Sequence, residues 1–488
     1  EECMACTRTR HGFRMHGKAA ARKDGTLTGV SLDVLSNTGG YASHGHSIAA
    51  AGGGKLAALY PRAVFSYHAR TAYTNYPVAG ALRGYGAPQV AHAVECLVED
   101  AARALGMDSV EFRLRNVARP GEVNPYTKKV LDTAGIVECL EKGRDMFRWS
   151  ERRAACLRTG DLRRGVGVAC FSYGSSTYPA SVEHAGARMI LNQDGSVTMM
   201  AGATEIGQGA DTAFAQMAAE TLGLDFSCFR VVSTQDTDVT PFDTGAYASR
   251  QCYVASNAIR RCAEQLRGRI LAAAGRMLGQ PAESLALRGR EVVRAAEREA
   301  ASPRALLSLR DLALESYYNK EEGGQITAEV AHKTRANAPC FGCTFTEIEV
   351  DVPLCRMRGV DLLNVHDSGR IISPGMAVGQ VQGGVAMGIG WALYEELLVD
   401  DRSGRILNNN LLDYKVPTPP DVPDIGAAFV ETHEPSGGYG NKALGEPPIV
   451  SPAPALRNAL LDATGVAVDE LPLSPKTLYR HFAAAGLL

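Results

Sequence analysis

The stretch that most constrains this sequence is residues 202–222, GATEIGQGADTAFAQMAAETL, because its spacing changes from strand-like to helical at two glycines. The apolar residues 189–191 and 197–200 precede it, and the Asn-Gln-Asp-Gly-Ser between them is typical of a β-hairpin. After Gly209, apolar side chains recur at helical spacing. The pattern predicts a hairpin, a glycine turn and a helix in direct succession.

The glycine turn is a candidate binding site. Gly207 and Gly209 permit a close backbone approach to a ligand, and the start of a helix presents unpaired N–H groups with a partial positive charge. Gln208 carries a donor and an acceptor on one planar group, which suits the edge of a heterocycle or a phosphate. A turn that only joins a strand to a helix would use the same residues, so both interpretations stay open at this point.

Composition narrows the class of protein. The 488 residues are 45% apolar and 21% charged with a formal net charge of −2, so we expect neither a nucleic-acid-binding nor a membrane protein. Twelve cysteines without a compact spacing predict reduced thiols in a cytoplasmic protein. The chain begins Glu-Glu-Cys without an initiator methionine. We therefore expect a processed product or a piece of a longer polypeptide.

The first part of the chain has strand-like patterns at residues 17–21, 27–34 and 64–73. Between them, the alanine- and glycine-rich residues 49–57 predict a small-residue packing surface or a mobile loop. Pro88, at a first helical position, predicts a helix that ends near Gly106.

The sequence predicts two domains, residues 1–140 and 141–488. The boundary is placed near residue 140 because a charged, proline-containing stretch comes before new strand patterns at 166–173. The second half is expected to contain, in order, a helix with its buried face over 258–271, an exposed helical region over 280–335, a strand at 343–352 paired with 359–365, and helices at 378–398 and 452–462. The glycines of 378–398 weaken a helix, so we expect close packing there against backbone or a bulky ligand.

Two further glycine turns contain candidate site residues. In ALRGYGAPQ, Arg83 is a candidate donor to an anion or carbonyl and Tyr85 a candidate aromatic wall, although an arginine that caps a neighbouring element and a core tyrosine fit as well. In KALGEPP, we expect Pro447 and Pro448 to hold Glu446 extended and desolvated, which favours a base working near neutral pH. A carboxylate that only complements the dipole of the next helix is the alternative.

Five motifs together resemble the molybdenum hydroxylase family, which contains the xanthine dehydrogenases and aldehyde oxidases. They are ALRGYGAPQ (81–89), GATEIGQG (202–209), DTGAYASR (243–250), VGQVQGG (378–384) and KALGEPP (442–448), in the family's order and rough separation. The closing LPLSPKTLYRHFAAAGLL resembles the end of the molybdenum-binding subunit of bacterial xanthine dehydrogenases. The resemblance implies an α+β fold, in which two elongated mixed α/β molybdopterin-binding domains pack around a shared cofactor cleft.

The resemblance also implies residue roles. Glu446 matches the catalytic glutamate, which takes a proton from the hydroxide that attacks an electron-poor carbon. Gln208 and Gln380 match residues that hydrogen-bond molybdopterin, and no side chain is expected to ligate the metal. The remaining matches are Gly207, Gly209, Arg83 and Ala246 around the cofactor and Tyr85 and Thr177 at the substrate.

Two departures from the family bear on the substrate. Residues 49–54 lack the substrate-polarising arginine of mammalian xanthine enzymes, and the second aromatic of their substrate site is replaced around Thr177, with Tyr173 and Tyr178 nearby. A glycine-phenylalanine-rich cofactor loop and a second substrate-binding glutamate precede, in the family, the point where this chain starts. We therefore expect another polypeptide to complete the cradle.

The resulting prediction is a molybdenum hydroxylase chain that oxidises a purine or a related N-heterocycle, with water as the oxygen source. Its cofactor would be molybdenum–molybdopterin, with the cytosine dinucleotide as one candidate form. Electrons would leave through Fe–S and FAD partner subunits, and the complex is expected to be an oligomer. An aldehyde or nicotinate-type substrate, or an inert fragment or assembly subunit, are the alternatives.

Overall fold

The computed structural model describes residues 1–232, 236–320 and 323–488. These residues form a mixed α/β structure in which helices cover the faces of β-sheets, as expected. The strands are β1 (Gly12–Ala21), β2 (Leu27–Gly39), β3 (Val64–Tyr73), β4 (Leu162–Gly174), β5 (Glu183–Leu191), β6 (Val197–Ala201), β7 (Phe229–Val232), β8 (Leu285–Arg288), β9 (Glu291–Arg294), β10 (Leu307–Ser308), β11 (Thr327–Thr334), β12 (Pro339–Asp351), β13 (Arg356–Asp367) and β14 (Ile425–Val430).

The helices lie between groups of strands along the chain. They are α1 (Glu2–Cys6), α2 (Gly45–Leu56), α3 (Ala87–Ala104), α4 (Ser109–Asn116), α5 (Ile136–Phe147), α6 (Trp149–Ala155), α7 (Ala210–Leu222), α8 (Gln251–Leu278), α9 (Leu309–Tyr318), α10 (Pro374–Leu393), α11 (Pro452–Thr464) and α12 (Pro475–Ala484). None of these helices has both the length and the apolarity needed to cross a bilayer.

The strands form mixed sheets in the described parts of the chain. Their orders are β1-β2-β3, β4-β12-β13-β14, β11-β5-β6-β7 and β8-β9-β10. Neighbours are antiparallel except for the pairs β2 with β3, β6 with β7 and β13 with β14. The predicted pairing of 343–352 with 359–365 is confirmed as the antiparallel pair β12 and β13, in which Cys343 is opposite Val365.

The prediction for residues 49–57 is wrong where it expected a loop, because residues 45–56 form α2. An alanine- and glycine-rich stretch has little apolar periodicity, so its helical character is not visible from hydrophobic spacing. The small residues do form a packing surface. A Cβ on Gly52 would lie 2.9 Å from the Gly86 carbonyl oxygen, and one on Gly53 would lie 2.6 Å from the Tyr67 ring.

Sheet β11-β5-β6-β7 contains the apolar strands that precede the glycine turn of residues 207–209. The predicted hairpin is present as β5 and β6, and α7 follows directly after Gly209. On α7, Phe214, Met217, Ala218 and Leu222 are buried, as their spacing predicts. Helix α8 covers the same core through Ala258, Ile259, Cys262, Leu266 and Ile270, whereas Leu271 is only half-buried.

The prediction of a helical region over residues 280–335 is wrong for most of its length. Strands β8 and β9 form a tight hairpin around Gly289, whose φ is +62°, and α9 is the one α-helix among the described residues of this range. Arg288 and Glu291 are half-buried and Arg294 is exposed at the ends of these short strands, and strands this short give little periodic signal. Residues 321–322, within the charged stretch 320–324, lie outside the described residues.

Among the described residues, the buried apolar side chains group into three clusters. The largest takes residues from both sides of position 140, from Leu27 to Val450, and joins β1–β3 to β4 and β12. Helix α11, in the C-terminal part of the chain, packs closely on strand β4 at Gly167. A side chain there would not fit, because a Cβ on Gly167 would lie 2.1 Å from the Ala455 carbonyl oxygen. The domain division at residue 140 stays a prediction.

Candidate functional site

Glu446 is held by two segments that are distant in sequence. Its Oε1 accepts a hydrogen bond from the Gly84 N–H at 3.1 Å, and its Oε2 accepts one from the Ser249 hydroxyl at 3.1 Å. The Glu446 N–H donates to Ser249 Oγ at 2.8 Å. The side chain is half-buried, so the carboxylate is fixed between the RGYG turn and the DTGAYASR loop instead of pointing freely to solvent.

The backbone at Glu446 differs from the prediction. Glu446 has φ −91° and ψ −32°, a helical conformation, and it precedes a single 3₁₀ turn, Pro447–Ile449. The expectation of an extended residue before the prolines is therefore wrong. Prolines are tolerated in the first turn of a helix, where their missing N–H groups have no intrahelical partner to lose.

The RGYG turn connects Glu446 to the glycine-rich helix α10. Arg83 Nε donates to the Gly445 carbonyl oxygen at 2.7 Å, and its Nη2 donates to the Gln380 backbone oxygen at 3.1 Å and to Gln380 Oε1 at 3.2 Å. Burial lowers the pKa of Arg83, and the charge of Glu446 opposes that shift. Arg83 therefore braces two parts of the site as well as contributing a positive charge.

The turn itself has an unusual backbone. Gly84, Tyr85 and Gly86 have φ values of +100°, +46° and +86°. Left-handed φ is common for glycine and uncommon for other residues, and such conformations cluster at functional sites. Arg10 stabilises the turn, because its Nη2 donates to the Arg83 carbonyl oxygen at 3.0 Å. Burial lowers the pKa of Arg10 to about 10.

The glycines of α10 lie on two faces of the helix. A Cβ on Gly384 would lie 2.6 Å from Pro448 Cβ, and one on Gly388 would lie 2.9 Å from Pro452. The predicted close packing is therefore confirmed for this buried face, which allows the GEPP segment to approach the helix. The other face, with Gly379 and Gly383, is exposed.

A matched pair of alanine substitutions tests this packing. We expect Gly384→Ala to lower the free energy of unfolding by about 1–3 kcal/mol, because the new methyl group must displace Pro448 or strain the helix. Gly379→Ala, with no atom within 4 Å of the new Cβ, should raise it by about 1 kcal/mol through helix propensity. Urea unfolding of the two variants measures both changes, and shifts in the same direction would contradict the assignment.

The GQG turn lies against both the DTGAYASR loop and the start of α10. Gln208 Nε2 donates to Gln251 Oε1 at 2.7 Å and to the Thr204 carbonyl oxygen at 2.9 Å, while its Oε1 accepts from the Ile206 N–H at 2.7 Å. A Cβ on Gly209 would lie 2.7 Å from Met376 Sδ. In this arrangement the Gln208 amide braces its own turn, and its contact with a cofactor stays a prediction.

The five motifs, with the residues directly beside them, thus form a continuous ring, defined here as the motif ring. Gln208 contacts Gln251, the residue after DTGAYASR, Ser249 contacts Glu446, and the links continue from Glu446 to Gly84 and from Arg83 to Gln380. The ring is completed where Gly209 approaches Met376, two residues before VGQVQGG, so closely that a Cβ on Gly209 would lie 2.7 Å from Met376 Sδ. Motifs that are separated by up to hundreds of residues in the sequence therefore meet around the Glu446 carboxylate.

A cation that the sequence analysis missed lies beside this carboxylate. Lys55 Nζ is 3.7 Å from the Tyr173 ring centroid and 5.2 Å from the Tyr85 ring centroid, and it donates to the Tyr173 hydroxyl. Burial lowers the pKa of Lys55 to about 8, and the charge of Glu446 opposes the shift. Burial, followed by the charge of Glu446, holds the pKa of Tyr173 well above its ordinary value.

The helical spacing of Lys55 is the sequence feature that could have placed it at this site. Gly52 and Lys55 are three residues apart and share one side of α2, which becomes apparent only when this stretch is read as a helix. Lys55 directly follows residues 49–54, the segment that lacks the arginine of the mammalian xanthine enzymes. Of the two tyrosines near Thr177 in the sequence, Tyr173 contacts Lys55. Tyr178 instead contacts Lys129, whose Nζ lies 4.9 Å from the Tyr178 ring centroid.

The remaining predicted site residues differ in their surroundings. Tyr85 is half-buried, and its hydroxyl is 2.8 Å from His44 Nδ1. Ala246 is exposed next to Gly245, whose φ is +114°. The Thr177 hydroxyl donates to Glu183 Oε1 at 2.6 Å, so it braces a buried carboxylate. The substrate roles of Tyr85 and Thr177 stay predictions.

Two family profiles described as molybdopterin cofactor-binding domains match residues 1–117 and 142–423. The xanthine dehydrogenase molybdenum-binding subunit of Escherichia coli O157:H7 is 57% identical over 489 residues, with all of this chain and 64% of that relative covered. The chain belongs to the molybdenum hydroxylase family. The nicotine 6-hydroxylase large subunit of Paenarthrobacter nicotinovorans is 29% identical over 96% of this chain and 59% of its own length.

Solved structures of molybdenum hydroxylases show the same fold. The quinoline 2-oxidoreductase of Pseudomonas putida 86 superposes with a TM-score of 0.87 at 25% identity, covering 99% of this chain and 63% of that one. This molybdenum hydroxylase chain therefore spans slightly less than two thirds of the length of these relatives. The fold class and the family inferred from the five motifs are both confirmed.

The chemistry of the motif ring can be compared with that of a molybdopterin. No atom of the described residues lies within 4 Å of a Cβ placed on Gly207 or Gly379, and Arg83 Nη1 is the one such atom, at 4.0 Å, near a Cβ placed on Gly383. Among the described residues, no hydrogen-bond acceptor pairs with Arg83 Nη1 or Gln380 Nε2. An open glycine edge with guanidinium and amide donors suits a phosphate-bearing heterocycle, so these residues of the molybdenum hydroxylase chain fit the cofactor.

Proposed function

We propose that this chain binds molybdenum–molybdopterin and, with further polypeptide, hydroxylates a xanthine- or hypoxanthine-like purine or a related N-heterocycle. The observation that carries the proposal is the motif ring, which brings the five family motifs together around Glu446. A carboxylate at the meeting point of glycine-rich cofactor segments is placed to exchange a proton with a group bound there.

Different residues of the chain have different roles in the proposed reaction. Glu446 accepts a proton on its carboxylate, while the Gly84 N–H and the Ser249 hydroxyl hold the two oxygens in place. Arg83, Gln380, Gln208, the glycines at 207 and 209 and Ala246 would line the cofactor. When bound, the molybdenum centre supplies the oxygen atom, drawn from water, and takes up two electrons from the substrate carbon.

The substrate class follows from the ring wall and the relatives. The Tyr85 ring, next to Lys55, presents an aromatic surface on which a flat heterocycle can stack, and Thr177 is proposed to lie on the opposite side. The relatives described above are named for xanthine, nicotine and quinoline, all of which are N-heterocycles. At 57% identity, the xanthine dehydrogenase subunit favours a purine.

Exposed apolar side chains around the motif ring support a partner. Ile206, Phe242 and Met376 are 68%, 66% and 44% exposed. They flank the GQG turn, the DTGAYASR loop and the start of α10, where solvent contact with apolar groups is unfavourable. We propose that the remaining part of the molybdenum-binding subunit covers them, and that Fe–S and FAD subunits accept the electrons.

Metal content and turnover test the proposal together. The chain is purified alone and with the upstream part of its subunit, and molybdenum is measured in both samples. We expect stoichiometric molybdenum in the complex and faster turnover with hypoxanthine than with nicotinate or benzaldehyde. Faster turnover with benzaldehyde would favour the aldehyde alternative, and molybdenum absent from both samples would support an inert assembly subunit.

A further inference from the structure

The DTGAYASR loop contains two residues in a conformation that they seldom adopt. Ala248 and Ser249 have φ values of +49° and +54°, in the left-handed region that favours glycine. Such a conformation costs free energy, and it persists only where the surrounding structure holds it. The loop therefore needs a structural reason to be shaped in this way.

Arg250 holds the loop from the buried side. Its side chain is fully buried, and its Nη1 donates to Asp243 Oδ1 at 2.6 Å and to the Gly245 carbonyl oxygen at 2.9 Å. Its Nε donates to Glu183, which is also fully buried. One guanidinium thus closes the loop from residue 243 to residue 250 and ties it to the start of β5.

The strained backbone places the Ser249 hydroxyl on Glu446. Ser249 Oγ accepts from the Glu446 N–H at 2.8 Å and donates to Glu446 Oε2 at 3.1 Å. One hydroxyl therefore contacts both the backbone and the carboxylate of the same residue, which restricts the side-chain rotation of Glu446. Ala248, with similar backbone geometry, has no hydroxyl and makes no such contact.

We propose that Ser249 is the positioning residue of Glu446, and that the loop is held in a left-handed conformation in order to aim its hydroxyl at that carboxylate. The inference rests on the proposed function, in which Glu446 is the base. Ser249 acts through Glu446 and itself exchanges no proton with the substrate.

The contacts of Ser249 predict which kinetic constant depends on it. Arg83 Nε donates to the Gly445 carbonyl oxygen and the Gly84 N–H donates to Glu446 Oε1, so other contacts to this segment remain when the hydroxyl is removed. Because the Ser249 hydroxyl acts on Glu446 and not on a substrate, its loss should lower kcat and leave KM unchanged.

Two glycine variants separate the hydroxyl from the backbone. Ser249→Gly and Ala248→Gly both relieve a left-handed φ, but only the first removes the hydroxyl. In the assembled, molybdenum-loaded complex, we expect Ser249→Gly to lower kcat about 10- to 100-fold and to keep KM within about twofold of the unsubstituted value. Ala248→Gly should keep both constants of the unsubstituted complex. Equal effects of the two variants on kcat, or a higher KM with an unchanged kcat in Ser249→Gly, would overturn the proposal.

A crystallographic comparison gives a readout that does not need activity. In the structure of the Ser249→Gly variant, the Glu446 carboxylate should leave its position beside Gly84 or occupy several rotamers, whereas Ala248→Gly should keep a single one. An unchanged Glu446 side chain in Ser249→Gly would refute the positioning role whether or not the complex is active. An unsubstituted complex that binds molybdenum but turns over no substrate would instead count against the proposed function.

Discussion

The Glu446→Gln variant of the assembled complex should lose turnover by about two to four orders of magnitude while it keeps its molybdenum. Removing a general base typically costs a factor of this size. The amide preserves the surrounding geometry, because its oxygen can accept from the Gly84 N–H and its nitrogen can donate to Ser249 Oγ. The loss would therefore report the missing carboxylate and not a collapsed site.

The control is a glutamate outside the motif ring. Glu431 is exposed, so Glu431→Gln removes the same charge at a position where solvent screens it, and we expect kcat to stay within about twofold of the unsubstituted value. Steady-state kinetics with hypoxanthine and molybdenum analysis of both variants make the measurement. If Glu446→Gln retains more than about a tenth of kcat, Glu446 is not the base.

Local patterns in the sequence predicted the elements that carry the site. The hairpin before the GQG turn, helix α7 after it, the start of α3 at Pro88 and the pair β12 and β13 all depend on spacing within a few residues. Periodicity and turn residues indicate local structural preferences of this kind. The order of the five motifs indicated, by resemblance, the molybdenum hydroxylase family and a molybdopterin cofactor.

Contacts between distant segments were not accessible from the sequence. The hydroxyl of Ser249 reaches Glu446 across 197 positions, and the Lys55 side chain reaches Tyr173 across 118. Neither residue has a local signature, since a serine in a turn and a lysine at the end of an alanine-rich stretch are ordinary. Hydrophobic spacing also fails where the residues are small, which is why residues 49–57 were expected to be a packing surface or a loop and not a helix.

Glu446 shows the limit of a local rule. The prolines after it were expected to impose an extended backbone, but the chain continues into a 3₁₀ turn and α11. The contacts from Arg83 to the Gly445 carbonyl and from Ser249 to the Glu446 N–H stabilise the helical conformation. Tertiary hydrogen bonds therefore outweigh the preference of a residue before proline.

The position of Glu446 also depends on a buried ion pair that involves Lys442, four residues upstream. Lys442 Nζ lies 2.6 Å from Asp367 Oδ2, and both side chains are fully buried. Asp367 Oδ2 also accepts from the Gly135 N–H at 2.8 Å, and Lys442 Nζ donates to the Thr133 hydroxyl at 3.1 Å. The pair attaches the KALGEPP segment to the end of β13, so that Glu446 starts from a fixed point.

Lys442→Met should lower the free energy of unfolding by about 3–5 kcal/mol, because it leaves the Asp367 carboxylate buried without a counter-charge. The control, Arg480→Met, breaks an exposed pair in which Arg480 and Glu470 are each 52% exposed, and it should cost less than about 1 kcal/mol. Urea unfolding of the chain measures both. A cost for Lys442→Met no larger than that of the control would show that the pair does not anchor the segment. In that case Arg83 and Ser249 would be the contacts that hold Glu446 in place.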